Sequence, residues 1–123
     1  MNLDSSTTLE ELKQLLREFR DARDWAQFHD AKNIAEAISI EAGELQELFL
    51  WKDKDVVMEK IKNDPEFRRK VEEELADVVM YALNFANATD IDVAKVVKEK
   101  VEKNDKKYPV AKAKGSAKKY DEL

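Results

Sequence analysis

The chain has 123 residues, of which 40% are charged and 43% hydrophobic, with only two Gly and two Pro. This composition favours long helices over a turn-rich β architecture, and the length suits one domain. A net charge of −5 argues against a general nucleic-acid surface, because binding to a phosphate backbone needs a basic field. The absence of Cys excludes disulfides and thiolate metal sites. The N-terminus has no apolar run suited to a signal or membrane helix, so we expect a cytoplasmic protein without a membrane partner.

The first half of the chain predicts two long helices. The first begins near residue 8, where hydroxyl side chains offer N-caps and acidic residues follow in the first turn, and it continues towards residues 23–25. A second apolar series at helical spacing predicts a helix from about residue 31 to 51. Gly43 lies inside this helix, where a Gly suggests a close approach of another backbone.

The second half of the chain predicts two more long helices. Residues 52–64 are highly charged and indicate either a short helix or a packed loop. Asp64 and Pro65 then have the residue types of an N-cap and a first helical position, so a third long helix should follow. Thr89 and Asp90 offer caps for a fourth helix.

The fourth predicted helix should end at Tyr108-Pro109, because Pro cannot continue it. Beyond it the chain is basic and contains few apolar residues. We therefore expect an all-α, four-helix-bundle-like domain over residues 1–109 and a loosely ordered C-terminal tail over residues 110–123.

Two acidic residues project from the apolar stripes of their own helices. At about 100° per residue, Glu41 lies on the same helix face as Ile38 and Leu45. On the third predicted helix, Glu74 likewise lies on the same face as Val71 and Val78. Because a lone buried carboxylate is costly unless a cation or hydrogen bonds compensate it, both positions require a partner.

Each of these residues has an acidic neighbour one helical turn later. Glu44 follows Glu41 and Asp77 follows Glu74, so each pair lies within about 5–6 Å. Two such pairs on facing helices would form a four-carboxylate site. Mg²⁺ or Mn²⁺ suits this site better than Zn²⁺, because the chain has no Cys and one His. Ion pairs with Lys or Arg between the helices are the alternative.

Motifs over nearly the whole chain, from about Leu12 to Leu123, indicate one family. They are Glu41-Ala-Gly-Glu44, Glu74-Leu-Ala-Asp77, Arg23-Asp-Trp-Ala-Gln-Phe-His29, Glu-Leu-Phe-Leu-Trp-Lys52, Lys107-Tyr-Pro109 and Lys118-Lys-Tyr120. With these motifs the sequence resembles the MazG-like all-α nucleotide pyrophosphohydrolases, and within them the dCTP pyrophosphatase branch. The resemblance implies hydrolysis of a nucleoside triphosphate to the monophosphate and pyrophosphate, with Mg²⁺ bound by the four carboxylates.

The resemblance also implies which residues bind the nucleotide. The base and sugar pocket would be formed or bordered by Trp25, Phe28, His29, Trp51 and Tyr81. The triphosphate would face Lys100, Asn104 and Lys107. Core packing for the aromatic residues and a solvated Lys-rich face are the alternatives. Leu16 stands where the branch has a His that contacts the nucleotide, and Ala31 replaces a Pro, so the base preference stays open.

The implied mechanism is attack on a phosphorus by a water that Mg²⁺ orients, with Glu41 or Glu44 as the base. The expected substrate is dCTP or a modified dCTP. A pyrophosphohydrolase for other non-canonical triphosphates and a non-catalytic, self-associating helical module are the alternatives. The predicted helices cannot bury all their apolar residues within one chain, so we expect a homo-oligomer, and the resemblance favours a tetramer.

Overall fold

A computed structural model describes residues 2–123, and helices dominate it. The helices of this part of the chain are α1 (Leu9–Ala22), α2 (Ala31–Glu47), α3 (Lys54–Asn63), α4 (Pro65–Thr89), α5 (Val93–Lys107) and α6 (Val110–Ala113). Short 3₁₀ turns lie at Leu3–Ser5, Ala26–Phe28 and Tyr120–Glu122. None of residues 2–123 lies in a strand, so the all-α prediction is confirmed. No helix described combines the length and the hydropathy that crossing a membrane requires.

The chain divides into two compact units, of which the first ends at Asp90 and the second comprises Ile91–Leu123. In the first unit α4 packs along α2 and also contacts α1 and α3. The buried core side chains there are Leu16, Ile34, Phe67, Leu83 and Ala86. The helix α4 is therefore the central element, against which residues of α1 and α2 are positioned.

The starts of α1 and α4 lie where the sequence predicts them. At α1, the Thr8 hydroxyl accepts the Glu11 N–H at 3.1 Å, and the Glu11 carboxylate accepts the Thr8 N–H at 2.7 Å. This reciprocal pair is a capping box. At α4, the Asp64 carboxylate accepts two backbone N–H groups at 3.1 and 3.2 Å, and Pro65 is the first helical residue. Local sequence chemistry therefore determines both starts.

The end of α2 differs from the prediction, because the helix stops at Glu47 and not near residue 51. The next three backbone N–H groups donate to carbonyls three residues earlier, at 3.0–3.3 Å, which tightens the chain into turns. These turns bring the Phe49 ring edge-on to Phe67 of α4, with centroids 6.3 Å apart. Trp51 then adopts a left-handed conformation with φ 63°. A contact with α4 thus accompanies the early end of α2.

The segment before α4 and the start of α5 also differ in detail from expectation. Residues 52–64 contain the helix α3, which was one of the two alternatives. The N-cap of α5 is Asp92, whose carboxylate accepts the Lys95 N–H at 3.0 Å. Thr89 and Asp90 instead end α4, and Asp90 has the left-handed φ of 57° that is common after a helix.

The C-terminal segment is more structured than the predicted loose tail. Residues 110–113 form α6, and a positive φ of 79° at Gly115 allows the following turn. The Tyr120 ring packs edge-on against Tyr108, with centroids 6.2 Å apart. The second unit therefore includes this segment together with α5.

Candidate metal centre and adjoining cleft

Three carboxylates from two packed helices meet in the first unit. Glu41 and Glu44 lie one turn apart on α2, and Glu74 lies on α4. One ligand oxygen from each lies within 4.8 Å of the others. A single cation bound at about 2.0–2.6 Å from each oxygen can span such separations. These three residues are called the carboxylate cluster below.

Two oxygens of the carboxylate cluster are buried without a hydrogen-bond partner, namely Oε2 of Glu41 and Oε2 of Glu74. Within residues 2–90, no Lys or Arg forms an ion pair with any carboxylate of the cluster. The alternative, in which these carboxylates form ion pairs with Lys or Arg of another helix, is therefore not found within residues 2–90. Because a buried carboxylate without a donor or a cation is costly, the cluster is suited to a bound cation.

The electrostatics of the cluster also favour a cation. The pKa of Glu41 is raised to about 6, first by burial and then by a hydrogen bond with Glu44 and the charges of the surrounding carboxylates. Burial also raises the pKa of Glu74, and the charges of Glu44 and Asp77 add to this effect. A divalent cation would relieve this repulsion. The donors are all oxygens, which fits Mg²⁺ or Mn²⁺.

Asp77, the fourth predicted metal ligand, occupies a different place from the other three. It lies one turn after Glu74 on α4 but outside the group of mutually close oxygens. It lines a cleft formed by residues of α1 and α4, and its negative charge helps to raise the pKa of both Glu41 and Glu74. The structure therefore brings three of the four residues together and leaves Asp77 between the carboxylate cluster and the cleft.

The cleft contains three of the residues predicted to bind the nucleotide. Trp25, His29 and Tyr81 line it together with Asp77. The cleft therefore has an aromatic wall beside a carboxylate. This combination suits a ligand that has a planar ring to pack against the aromatic side chains and a second group to reach a metal.

A left-handed turn after α1 positions Trp25. Asp24 has φ 54°, a conformation that Asp tolerates better than most residues. The Trp25 N–H then donates to the Arg20 carbonyl at 3.0 Å. The Trp25 ring packs edge-on against Phe19, with centroids 5.8 Å apart. The turn thus directs the indole back onto α1.

His29 offers an unpartnered nitrogen in the same cleft. Its Nδ1 is buried and has no hydrogen-bond partner. Burial lowers the pKa of His29, and the positive charge of Arg20 lowers it further. The imidazole is therefore neutral at neutral pH and can exchange a hydrogen bond with a ligand.

The sequence did not identify several residues that line this cleft, which are Phe19, Arg20, Met80 and Asn84. Leu16, noted above as a departure from the dCTP pyrophosphatase branch, lines it as well. Leu16 and Arg20 are four residues apart, so they lie on one face of α1. In the sequence, this spacing from Leu16 indicated that Arg20 lies beside the apolar stripe of α1.

Phe28 and Trp51 do not line the cleft. Phe28 ends the 3₁₀ turn Ala26–Phe28 with 60% of its surface exposed. Trp51 is 93% exposed and borders a separate open groove at the C-terminal end of α2. Their assignment to the base pocket stays a prediction.

The residues predicted to face the triphosphate belong to the second unit. Lys100, Asn104 and Lys107 all lie on α5, and Asn104 is half-buried. The Lys107 ammonium lies over the Tyr120 ring, 4.1 Å from its centroid, which is a cation–π contact. The C-terminal segment therefore helps to hold Lys107.

Comparisons with known proteins identify the family of this chain. A family model described as the MazG-like family matches residues 36–123. The chain is 40% identical over 116 residues to dCTP pyrophosphatase 1 of Rattus norvegicus, covering 94% of this chain and 68% of the rat protein. It is 39% identical over 116 residues to dCTP pyrophosphatase 1 of Homo sapiens, with the same coverage of 94% and 68%.

A solved structure supports the same assignment. The crystal structure of a pyrophosphatase from Archaeoglobus fulgidus DSM 4304 matches with a TM-score of 0.75 and 44% identity, covering 81% of this chain and 91% of that protein. Both the family match and the identities extend over most of the chain. The chain therefore belongs to the MazG-like family of nucleotide pyrophosphohydrolases.

Proposed function

We propose that this enzyme hydrolyses dCTP or a modified dCTP to the monophosphate and pyrophosphate, using Mg²⁺ held by Glu41, Glu44, Glu74 and Asp77. Mn²⁺ is the expected substitute. The names of the mammalian relatives support the cytosine nucleotide. Pyrophosphohydrolysis of other non-canonical triphosphates is the alternative.

The observation that carries the proposal is the pair of buried, unpartnered oxygens in the carboxylate cluster. Glu41 and Glu74 each direct one such oxygen into the protein, and no Lys or Arg of residues 2–90 pairs with either carboxylate. A structural role in the fold does not require this arrangement, since apolar residues would be more stable at both positions. A metal-binding role does require it.

The reaction adds water to a phosphorus of the triphosphate and breaks the bond that releases pyrophosphate. When bound, Mg²⁺ would neutralise the phosphate oxygens and activate the water. Glu41 or Glu44 would accept the proton of that water. The raised pKa of Glu41, about 6 in the metal-free chain, is consistent with a proton-accepting role close to neutral pH.

The remaining parts of the proposed site bind the nucleotide. Trp25, His29 and Tyr81 would enclose the base and sugar in the cleft, with Phe28 and Trp51 as its proposed border. As the resemblance implies, Lys100 and Lys107 would neutralise the triphosphate, and the Asn104 amide would donate a hydrogen bond to it. Their spacing of four and three places all three on one face of α5. Local cations of this kind would allow a protein with a net charge of −5 to bind a polyanion.

Pyrophosphate release from a panel of canonical and modified deoxynucleoside triphosphates tests the proposal. We expect release from dCTP and modified dCTP with Mg²⁺, partial activity with Mn²⁺, and none with EDTA. Undiminished release in EDTA would contradict the metal assignment. Release from other triphosphates but not from dCTP would favour the alternative substrate class.

A further inference from the structure

Arg20 is a basic residue in the cleft that the proposed mechanism does not use. It lines the cleft together with Trp25, His29 and Tyr81. Its side chain is only 19% exposed, and its ion pair is with Asp21, the adjacent residue in the chain. A guanidinium in this position therefore requires an explanation.

The contacts of Arg20 fix the side chain but leave most of its donors unused. Nε donates to Asp21 Oδ1 at 2.8 Å. Within residues 2–90, no hydrogen bond or ion pair uses the two Nη groups, and Asp77 of the same cleft is not paired with them. A planar guanidinium that is anchored at Nε presents its Nη donors in a fixed orientation. The arrangement is therefore preorganised for an acceptor that residues 2–90 do not supply.

The walls of the cleft indicate the kind of acceptor. Trp25 and Tyr81 provide aromatic surface for a planar ring, and His29 is neutral. Two parallel N–H donors match a ring edge with two adjacent acceptors. Cytosine has such an edge at N3 and O2, and guanine has one at O6 and N7. Adenine alternates donors and acceptors, and thymine and uracil have an N–H between their carbonyls.

We propose that Arg20 binds the N3 and O2 edge of the cytosine base and thereby determines the preference of this enzyme for cytosine over adenine and thymine. This inference rests on the proposed function, which selects cytosine from the two bases with a suitable edge. Asp21 positions the guanidinium through Nε.

Substitution Arg20→Met tests the proposal, because Met keeps much of the apolar stem and removes every donor. We expect kcat/KM for dCTP to fall about 10- to 100-fold, the range for one good bidentate contact to a base. The values for dATP and dTTP should change by less than about 3-fold, since those bases lack the matching edge. Arg68→Met is the matched control, because Arg68 pairs with Glu72 on α4 and does not line the cleft.

Equal losses for all nucleotides would overturn the proposal, since they would indicate contact with the triphosphate or a structural role. No loss for dCTP would overturn it as well. Arg20→Lys keeps the charge but not the planar fork, so it should also lose the preference for dCTP. Full retention of the preference in Arg20→Lys would contradict a two-donor contact, even if Arg20→Met does not fold.

Calorimetric binding of dCMP and dAMP separates this proposal from the proposed function, because it requires no turnover. The parent protein should bind dCMP more tightly than dAMP, and Arg20→Met should bind both equally. If the parent releases no pyrophosphate but shows this difference, the proposed function fails while the role of Arg20 stands. If the parent is active but binds both monophosphates equally, the role of Arg20 fails.

Discussion

Glu41 and Glu74 each combine a helix position inside an apolar stripe with a buried carboxylate oxygen that has no partner. On α2 the neighbours Ile38 and Leu45 are half-buried, as Glu41 itself is. Both carboxylates have raised pKa values because burial penalises the charged form. Without a bound cation, the charged form of these two carboxylates lowers the free energy of unfolding, and this effect can be measured.

The pKa of Glu41 predicts how the stability of the metal-free protein depends on pH. Its pKa is about 6 in the folded chain against an ordinary value of 4.5, so between these values the folded chain holds a proton that the unfolded chain has released. The free energy of unfolding should therefore fall as pH rises from about 4.5 to 6, and this contribution should level off above that. Urea unfolding in EDTA across this range measures the effect.

The control for this prediction is Glu41→Gln, which cannot titrate. The variant should lack this contribution to the pH dependence and should exceed the parent in stability above pH 6, because it carries no buried charge. Identical pH dependence in the two proteins would show that Glu41 is not the group responsible.

Single residues of the site were predictable where helix periodicity defines burial. The wheel positions of Glu41 and Glu74 correctly indicated side chains that are not fully exposed. Periodicity could not show that Asp77 lines the cleft, because this depends on how α4 is rotated against α1. It could not identify Arg20 either, since an Arg on a helix is usually a solvated residue.

At the scale of elements, Gly43 is an unexpected feature of α2. The sequence suggested that another backbone approaches it closely. In the described chain, however, no atom other than those of its chain neighbours and the adjacent backbone of α2 lies within 4 Å of the position a Cβ would occupy. Gly43→Ala should therefore raise the free energy of unfolding by about 0.5–1 kcal/mol, because Ala loses less backbone entropy in a helix. Thermal or urea unfolding measures this. A destabilised variant would mean that a second molecule packs against this face.

The starts of α1 and α4 were more predictable than the end of α2. The capping box at Thr8 and the cap at Asp64 are local side-chain contacts, so the sequence alone specifies them. The end of α2 at Glu47 was not predictable, because it accompanies the contact between Phe49 and Phe67, two residues from different elements. Long-range packing of this kind leaves no local pattern.

At the scale of the whole molecule, a single chain leaves much of its apolar surface exposed. Leu15 and Ile40 are each 61% exposed, Leu75 is 51% exposed and Trp51 is 93% exposed. Leu15 and Leu75 belong to apolar helix stripes that would form a core if they were covered. We therefore propose that the enzyme is a homo-oligomer, with a tetramer favoured by the family resemblance.

Light scattering coupled to size exclusion at micromolar concentration tests this proposal. We expect a mass several times that of the 14.3 kDa chain. Substitution of Leu15 by Glu should reduce the mass, because a charge in a buried apolar interface is costly, whereas Glu18→Lys on the same helix is an exposed control. A parent that elutes as a monomer would contradict the oligomer.

Family membership was predictable from sequence because the motifs extend over nearly the whole chain and specify chemistry as well as fold. The base preference was less predictable, since the cleft proposed to hold the base is lined by side chains of α1 and α4 that meet only in the folded chain. The predicted cytoplasmic location stays a prediction.

The most direct test of the central claim is pyrophosphate release from dCTP with Mg²⁺ by Glu44→Gln and Asp77→Asn, measured separately. Each substitution removes one carboxylate charge with little change of shape. We predict that each lowers the rate at least about 100-fold, because the lost ligand removes several kcal/mol of charge stabilisation. Glu36→Gln, which removes an exposed carboxylate paired with Lys32 on α2, should keep the parent rate. A near-normal rate in either Glu44→Gln or Asp77→Asn would contradict the four-carboxylate site.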